Sequence, residues 1–323
     1  MNISLDKIVA ELNKAKSVLI FPHERIDGDA LGSSVAICIA LRRLGKEAHI
    51  LIEEELPTNL AFLDEGYCIN EYSSDENLDV CLAVDCSDVS RLNNRKDVFL
   101  KGKITISLDH HFTNDYFADI NYVNPKSAAT AEVIYHILKE MDYPIDSKIA
   151  EALYAAITTD TGNFQYSNTS KETHLIIADL FDTGMDYNKV AVEIYQNVRP
   201  EQVKLVCMAL STMEIFCNGK ANIAYVTQDM LKQFNATMDE ADGVIEKLRD
   251  IRGIEIAIFL KEETNQVKVG LRAKAKADVS VIAYQFGGGG HKKAAGCLIE
   301  GTIEDAKKQI KESVQNYLAN MKG

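Results

Sequence analysis

The sequence predicts an α/β protein of two domains: a parallel sheet with helices on its faces and a helical block, linked to a smaller α/β domain across a cleft. Three observations carry that expectation. Short apolar runs alternate with helix-length stretches, and 323 residues exceed one comfortable core. The charge is also unevenly divided. Residues 201–323 hold 17 Lys and Arg against 16 Asp and Glu, which leaves 18 against 32 for residues 1–200. A strongly acidic first half beside a nearly neutral second half implies two domains with different tasks.

The elements follow in order. "SVLIF" (17–21) and "AHILI" (48–52) read as short buried strands, separated by the helical stretch "ALGSSVAICIALRRLG", which Gly45 closes. "DVCLAVD" and "KITISLD" continue the strand series, and strands alternating with helices imply a parallel sheet. A helical block follows in "SAATAEVIYHILKEM", "DSKIAEALYAAITTD", "KETHLIIADLF" and "YNKVAVEIYQN". The proline in "NVRPEQ" breaks this pattern, so the linker is placed at 191–210, between domains at 1–190 and 211–323. The second domain reads as strands in "ANIAYVT", "IEIAIFL" and "QVKVGLR", with helices in "DEADGVIEKLRD" and "IEDAKKQIKESVQNYL".

Composition narrows the function classes. No apolar run reaches about 18 residues, and the first 16 residues are amphipathic and charged, so neither a membrane span nor a signal peptide is expected. Seven scattered cysteines without a C-x-x-C read as reduced thiols, which implies a cytoplasmic protein. A net charge of -13 argues against a grip on long nucleic acid, which needs a basic stripe.

Four places in the first half close an apolar run with acidic residues. "FPHERIDGDALGSS" supplies His23, Asp27 and Asp29; "CLAVDCSD" supplies Asp85; "ISLDHH" supplies Asp109, His110 and His111; "AAITTDTGNF" supplies Asp160. Taken singly, each carboxylate reads equally well as a helix N-cap or turn residue. Three of the four places follow a strand, however, and in an open α/β sheet the C-terminal strand ends line the edge where ligands bind. Carboxylates gathered there repel one another unless cations compensate. Oxygen and imidazole ligands without thiolate suit Mn²⁺ ahead of Zn²⁺ and Mg²⁺, with Mg²⁺ or Co²⁺ as substitutes. About six such ligands are too many for one catalytic ion, and fit two ions sharing a carboxylate and clamping a phosphoryl group. Adjacent histidines can both serve one site only where the chain turns, because neighbours on a strand point to opposite faces.

A second signal lies in "GLRAKAKADVSVIAYQFGGGGHKKAAG" (270–296). Between Lys268 and Lys293 stand six basic residues and one acid, Asp278, the densest positive segment of the chain. Backbone N–H groups at Gly288, Gly289 and Gly290 can approach an anion closely, and Arg272 can offer a bidentate fork to a phosphate. A helix starting near His291 would add its N-terminal dipole. The plainer reading of four glycines is a flexible loop.

"HERIDGDALGS", "AVDCSD", "LDHH" and "TDTG", in this order, resemble the motifs of the DHH phosphoesterase family. "GLRAKAKADVSVIAYQFGGGGHKKAAG" resembles the signature of the DHH-associated C-terminal domain, so the likeness spans nearly the whole chain. Two positions depart from the common pattern: Ile26 stands where proline is common, and Ala273 where serine often follows the arginine. The resemblance implies that His23 and Asp27 hold one Mn²⁺, that Asp29, His110 and Asp160 hold a second, and that Asp85 bridges them. It implies that Asp109 orients an imidazole, that His111 faces the scissile phosphate or its leaving oxygen, and that Arg272, Gly288, Gly289, Gly290 and His291 bind substrate.

Within the family, the likeness is to members that hydrolyse short oligoribonucleotides and remove the 3'-phosphate of 3'-phosphoadenosine 5'-phosphate (pAp). A homodimer through the helical block is expected on the same ground. A phosphodiesterase for linear pApA shares every motif. The glycine-rich signature argues against an inorganic pyrophosphatase, and the acidic charge against an exonuclease for long strands. A nucleotide sensor without catalysis is the rival from another class; it would have no need to keep all six ligands.

Overall fold

The computed structural model describes residues 2–72 and 78–321. The chain forms two compact units, Met1–Asn197 and Val198–Gly323.

In the first unit, α1 (Leu5–Lys14) leads into β1 (Ser17–Pro22), α2 (Gly28–Arg43), β2 (Glu47–Leu51), the short β3 (Cys68–Ile69), β4 (Val80–Val84), α3 (Lys96–Phe99), β5 (Ile104–Asp109) and β6 (Ile120–Val123). The strands lie in the order β3-β2-β1-β4-β5-β6, all parallel. Both faces are covered, which is why the strands read as continuous apolar runs. Val18, Ile20, Val80, Leu82, Ile106 and Leu108 face one core with α2 and the helices that follow. Leu19, Phe21, Cys81 and Ala83 face the other, where Phe21 meets Phe99 edge-on at 5.4 Å.

The strand order reverses between β1 and β4, and such a switch point opens a crevice at the C-terminal strand ends. Pairing puts Pro22 opposite Val84 and Val84 opposite Leu108. The next residues, His23, Asp85 and Asp109, therefore leave the sheet at one level.

The helical block comprises α4 (Thr130–Glu140), α5 (Ser147–Asp160), α6 (Lys171–Asp182) and α7 (Tyr187–Tyr195). Helices α2 and α5 pack closely because Gly28 and Gly32 carry no side chain. A Cβ on Gly28 would lie 2.3 Å from Thr159 Oγ1, and one on Gly32 2.4 Å from the Ala152 carbonyl. That approach brings the start of α2, with Asp29, to the end of α5, with Asp160.

Around the expected linker at 191–210 the chain is helical on both sides: α7 ends at Tyr195 and α8 (Pro200–Ser211) begins at the proline itself. Proline suits that first position, since its missing N–H would have no partner within the helix.

The second unit continues with β7 (Glu214–Phe216), β8 (Ala221–Val226), α9 (Gln228–Phe234), α10 (Val244–Asp250), β9 (Ile256–Glu263), β10 (Gln266–Ala273), α11 (Ser280–Tyr284), β11 (Gly289–His291), β12 (Ala294–Glu300) and α12 (Ile303–Asn320). Its mixed sheet runs β11-β12-β10-β9-β8-β7, with only β8 and β9 parallel. Gly243, at φ +88°, confines to 244–250 the helix expected over 239–250. Among the described residues no helix is long and apolar enough to cross a membrane.

Candidate active site

The four acidic motifs of the first unit meet at the switch point. His23 follows β1, and Asp27 caps α2 by accepting from the Ala30 amide. Asp29 sits in the first turn of α2, Asp85 follows β4, Asp109 ends β5, and Asp160 ends α5. Asp85 takes a left-handed backbone conformation, φ +58°, uncommon for a residue with a Cβ. Its amide still donates to the Leu108 carbonyl at 2.9 Å, so the turn falls just beyond the sheet.

Ligand-type atoms gather in three sets, each within 4.8 Å: His23, Asp27 and Asp85; Asp29, His110 and Asp160; Asp85, His110 and His111. His23 Nε2 lies 3.5 Å from both Asp27 Oδ2 and Asp85 Oδ2. His110 Nε2 lies 3.8 Å from Asp29 Oδ2, 3.6 Å from Asp85 Oδ1 and 3.6 Å from Asp160 Oδ2. Asp85 belongs to both sides. The chain turns after β5, so the rings of His110 and His111 stand 4.6 Å apart and both address the cluster.

The imidazoles are set by backbone carbonyls. His23 Nδ1 lies 2.6 Å from the Glu24 carbonyl and His110 Nδ1 3.1 Å from that of Ser127. A carbonyl only accepts, so Nδ1 donates to it and Nε2 is the nitrogen that faces the carboxylates. This is the arrangement of a metal-bound histidine. Separations of 3.5–3.8 Å are long for direct hydrogen bonds. They suit groups that each reach about 2.0–2.2 Å to a shared cation.

The electrostatics point the same way. Burial raises the Asp29 carboxyl well above its ordinary range, Asp85, Asp160 and Asp27 add to the rise, and the Thr130 amide opposes it. Burial likewise raises Asp160, to about 7, although His110 pulls it down. Burial alone would lower His23, yet Asp27 and Asp85 hold it up at about 10. Burial thus disfavours charge on two of the acids, a cost that divalent cations between the carboxylates would offset. The donor set fits a pair of such ions.

Further side chains hold the ligands in place. Asp29 accepts from Ser33 Oγ at 2.9 Å and from the Thr130 and Ala131 amides at 2.6 and 3.1 Å, at the N-terminus of α4. Thr130 Oγ1 donates to Asp85 Oδ1 at 2.8 Å. Asn168 Nδ2 donates to the Asp160 carbonyl at 3.0 Å. Asp109 is fully buried and faces His111: its Oδ1 lies 2.7 Å from His111 Nδ1, and Asn114 Nδ2 donates to its Oδ2 at 2.7 Å. Burial lowers His111, but the Asp109 bond and the Asp85 charge raise it to about 9. Thr130, Ser33, Asn114 and Asn168 escaped the sequence reading.

In the second unit, Arg272 on β10 borders a pocket of about 360 Å³ lined also by Lys261, Lys268, Gly270, Gly289, Gly290 and Gly296. Register places Gly289 beside Gly296 and Gly296 beside Gly270, so three neighbouring strands present bare backbone in one row. Arg272 Nε lies 3.3 Å from Glu246 Oε1 on α10.

Two expectations for this region are corrected. No helix starts near His291: the residue ends β11, paired with Ala294 across a hairpin. Gly288 and Gly290 are needed for close packing, since a Cβ on Gly288 would lie 2.2 Å from the Gly296 carbonyl and one on Gly290 2.6 Å from that of Ala294. Nor is the Gly288 amide open to an anion, because it donates to the Ala283 carbonyl at 3.0 Å.

Comparison with known proteins agrees with this architecture. The chain is 30% identical to the bifunctional oligoribonuclease and PAP phosphatase NrnA of Thermus thermophilus, over 97% of this chain and 94% of that one. An exopolyphosphatase-related protein of Bacteroides fragilis superposes with a TM-score of 0.92 at 25% identity, covering 99% of this chain and 97% of the other. RecJ of Thermus thermophilus, solved in complex with Mn²⁺, shares the fold at a TM-score of 0.57 and 13% identity, over 98% of this chain and 55% of its own. Residues 17–157 match the DHH family N-terminal domain and residues 218–320 the DHHA1 domain; the chain belongs to the DHH family of phosphoesterases and is a hydrolase.

Proposed function

We infer that the protein is a Mn²⁺-dependent phosphoesterase that hydrolyses short 5'-phosphorylated oligoribonucleotides to mononucleotides and removes the 3'-phosphate of pAp. The observation that carries this reading is the pair of ligand sets sharing Asp85, with both Nε2 atoms aimed by backbone carbonyls. His23, Asp27 and Asp85 would hold one ion; Asp29, His110, Asp160 and Asp85 the other. When bound, the ions supply the nucleophile at neutral pH and neutralise charge on the phosphoryl oxygens.

The remaining work falls to the chain's own residues. Asp109, fixed by Asn114, keeps the His111 ring in one orientation and favours its protonated form. His111 therefore has a proton to give to the oxygen that leaves phosphorus. In the second unit, Arg272, which lines the pocket with Lys261 and Lys268, serves as the anchor for a terminal 5'-phosphate, and His291 at the end of β11 serves as its second contact. The named activity of the Thermus relative supports the substrate class.

The test is product analysis on 5'-phosphorylated di- to pentaribonucleotides, pAp and pApA, with Mn²⁺ restored after chelation. Wild type should act on all three classes, and Asp85→Asn should lose at least about 10³-fold if one carboxylate serves both ions. Turnover that survives saturating chelator, or an active Asp85→Asn variant, overturns the two-ion reading. Activity confined to pApA would move the protein to linear-dinucleotide turnover, and binding without turnover would make it a sensor.

A further inference from the structure

The pocket of the second unit has a feature that a plain phosphate anchor would lack. Its lining cations Arg272, Lys268 and Lys261 are joined by one lining carboxylate, Asp242, which pairs with Lys261, while Glu246 on α10 reaches Arg272 next to the lining residue Ile245. An acid beside an anion site weakens it, unless the ligand brings a donor to that acid. Asp242 keeps Lys261 whatever happens at Arg272. Glu246 touches Arg272 through Nε, and Nη1 is taken by the Leu271 carbonyl; when a phosphate takes the remaining Nε and Nη2 fork, a carboxylate only 28% exposed loses that partner. A carboxylate in that position needs a new donor.

We propose that Glu246 accepts a hydrogen bond from the ribose 2'-hydroxyl of the nucleotide whose 5'-phosphate Arg272 holds, and so makes the pocket selective for ribonucleotides. The inference rests on the anchor reading given above for Arg272. The chemistry narrows the donor. In pAp and in the first residue of an oligonucleotide, the 3'-oxygen is esterified, so the 2'-hydroxyl is the remaining sugar donor. The row Gly289, Gly296 and Gly270 lines the pocket with bare backbone, most open at Gly289, where a sugar can lie close to the chain. Dinucleotide-binding folds solve the same problem with the same parts, a glycine-rich anion site and an acid for the ribose hydroxyl. The 2'-hydroxyl is also the group by which a protein separates RNA from DNA.

The experiment crosses substrate with variant in the full-length chain with Mn²⁺. It compares kcat/KM for pApA and for the same dinucleotide lacking the 2'-hydroxyl on its 5'-residue, in wild type, Glu246→Ala and Glu246→Gln. Calorimetric binding of 5'-AMP and 2'-deoxy-5'-AMP to the chelated protein gives the same ratio without turnover. Wild type should prefer the ribose form by about 10-fold or more. Glu246→Ala should bring the ratio close to one, and Glu246→Gln, which keeps an acceptor oxygen, should retain most of it. A wild type indifferent to the 2'-hydroxyl overturns the proposal. So does a Glu246→Ala variant in which both ligands gain or lose together, because Glu246 would then only compete for Arg272 or orient it. Arg272→Ala tests the underlying reading separately: unchanged binding of 5'-AMP would remove the anchor itself, whatever Glu246 does.

Discussion

Thr130 offers the sharpest probe of the metal centre, because one residue touches both ligand sets. Its hydroxyl donates to Asp85 at 2.8 Å, and its amide donates to Asp29 at 2.6 Å. Thr130 is fully buried and Asp85 nearly so, so no solvent replaces a lost donor. Thr130→Val removes the hydroxyl, preserves shape and leaves the amide in place. A hydrogen bond to a charged group contributes about 1.5–3 kcal/mol. If that bond fixes Asp85 where both ions need it, the loss should appear as roughly 10- to 100-fold weaker metal binding, the range for partners that orient ligands. Thr130→Ser restores the hydroxyl and should bind within about threefold of wild type, a small fraction of one such bond. Free Mn²⁺ read by electron paramagnetic resonance during titration gives the affinities without reference to turnover. Wild-type affinity in Thr130→Val, or an equal loss in Thr130→Ser, would refute the argument that the hydroxyl positions Asp85.

Three further outcomes are expected. Gly32→Ala forces a Cβ to 2.4 Å from the Ala152 carbonyl, so overpacking of about 1–3 kcal/mol should lower Tm despite the better helix propensity of alanine; a variant as stable as wild type would show that α2 and α5 can part without loss. Asp79 is held down at about 2 by the Lys103 ammonium and the Lys16 amide, against a small opposing effect of burial. A lowered folded pKa means stability present above the ordinary carboxylate value and lost as pH falls through about 2, so the Tm gap between wild type and Asp79→Asn should narrow from pH 5 downward; a constant gap would assign Asp79 no ionic role. In a length series of 5'-phosphorylated RNA at fixed salt, kcat/KM should peak at about two to four nucleotides, because a protein of net charge -13 offers no track to later phosphates; a flat profile to about twenty nucleotides contradicts this.

Much of the fold was legible because its strands are buried on both faces. "SVLIF", "DVCLAVD" and "KITISLD" read as apolar runs, and these became β1, β4 and β5 at the centre of the sheet. The edges were less readable. Strand β3 is two residues long, and the four residues of β6 bury polar Asn121 between Ile120 and Tyr122, so neither offers an apolar run or an alternation to detect. The glycine-rich segment misled for a related reason. Side chains carry the periodic signal, and a stretch of four glycines has none; its hairpin is specified by the backbone approach of Gly288 and Gly290 to β12.

The candidate site divides along the same physical line. Its candidate ligands are legible because each sits within a few residues of a strand end or helix terminus, and the sheet register brings those strand ends to one level. Ser33, Asn114 and Asn168 act within eight residues of the groups they hold, but other supports are invisible in sequence because they arrive from far along the chain. Thr130 lies 101 residues from Asp29 and 45 from Asp85. Arg95 is buried beneath the same edge, where its guanidinium donates to the Pro22 and Leu51 carbonyls at the ends of β1 and β2. It lies 73 residues from the strand end that launches His23. Local motifs thus name the groups that would touch ions and phosphate, while their exact placement depends on α4, Asn114 and Arg95, each set by tertiary packing. A chain could keep all four motifs and still hold its ions more weakly through a change at Thr130 alone. Motif matching by itself is therefore a weaker test of activity in this fold than the hydrogen bonds behind the motifs.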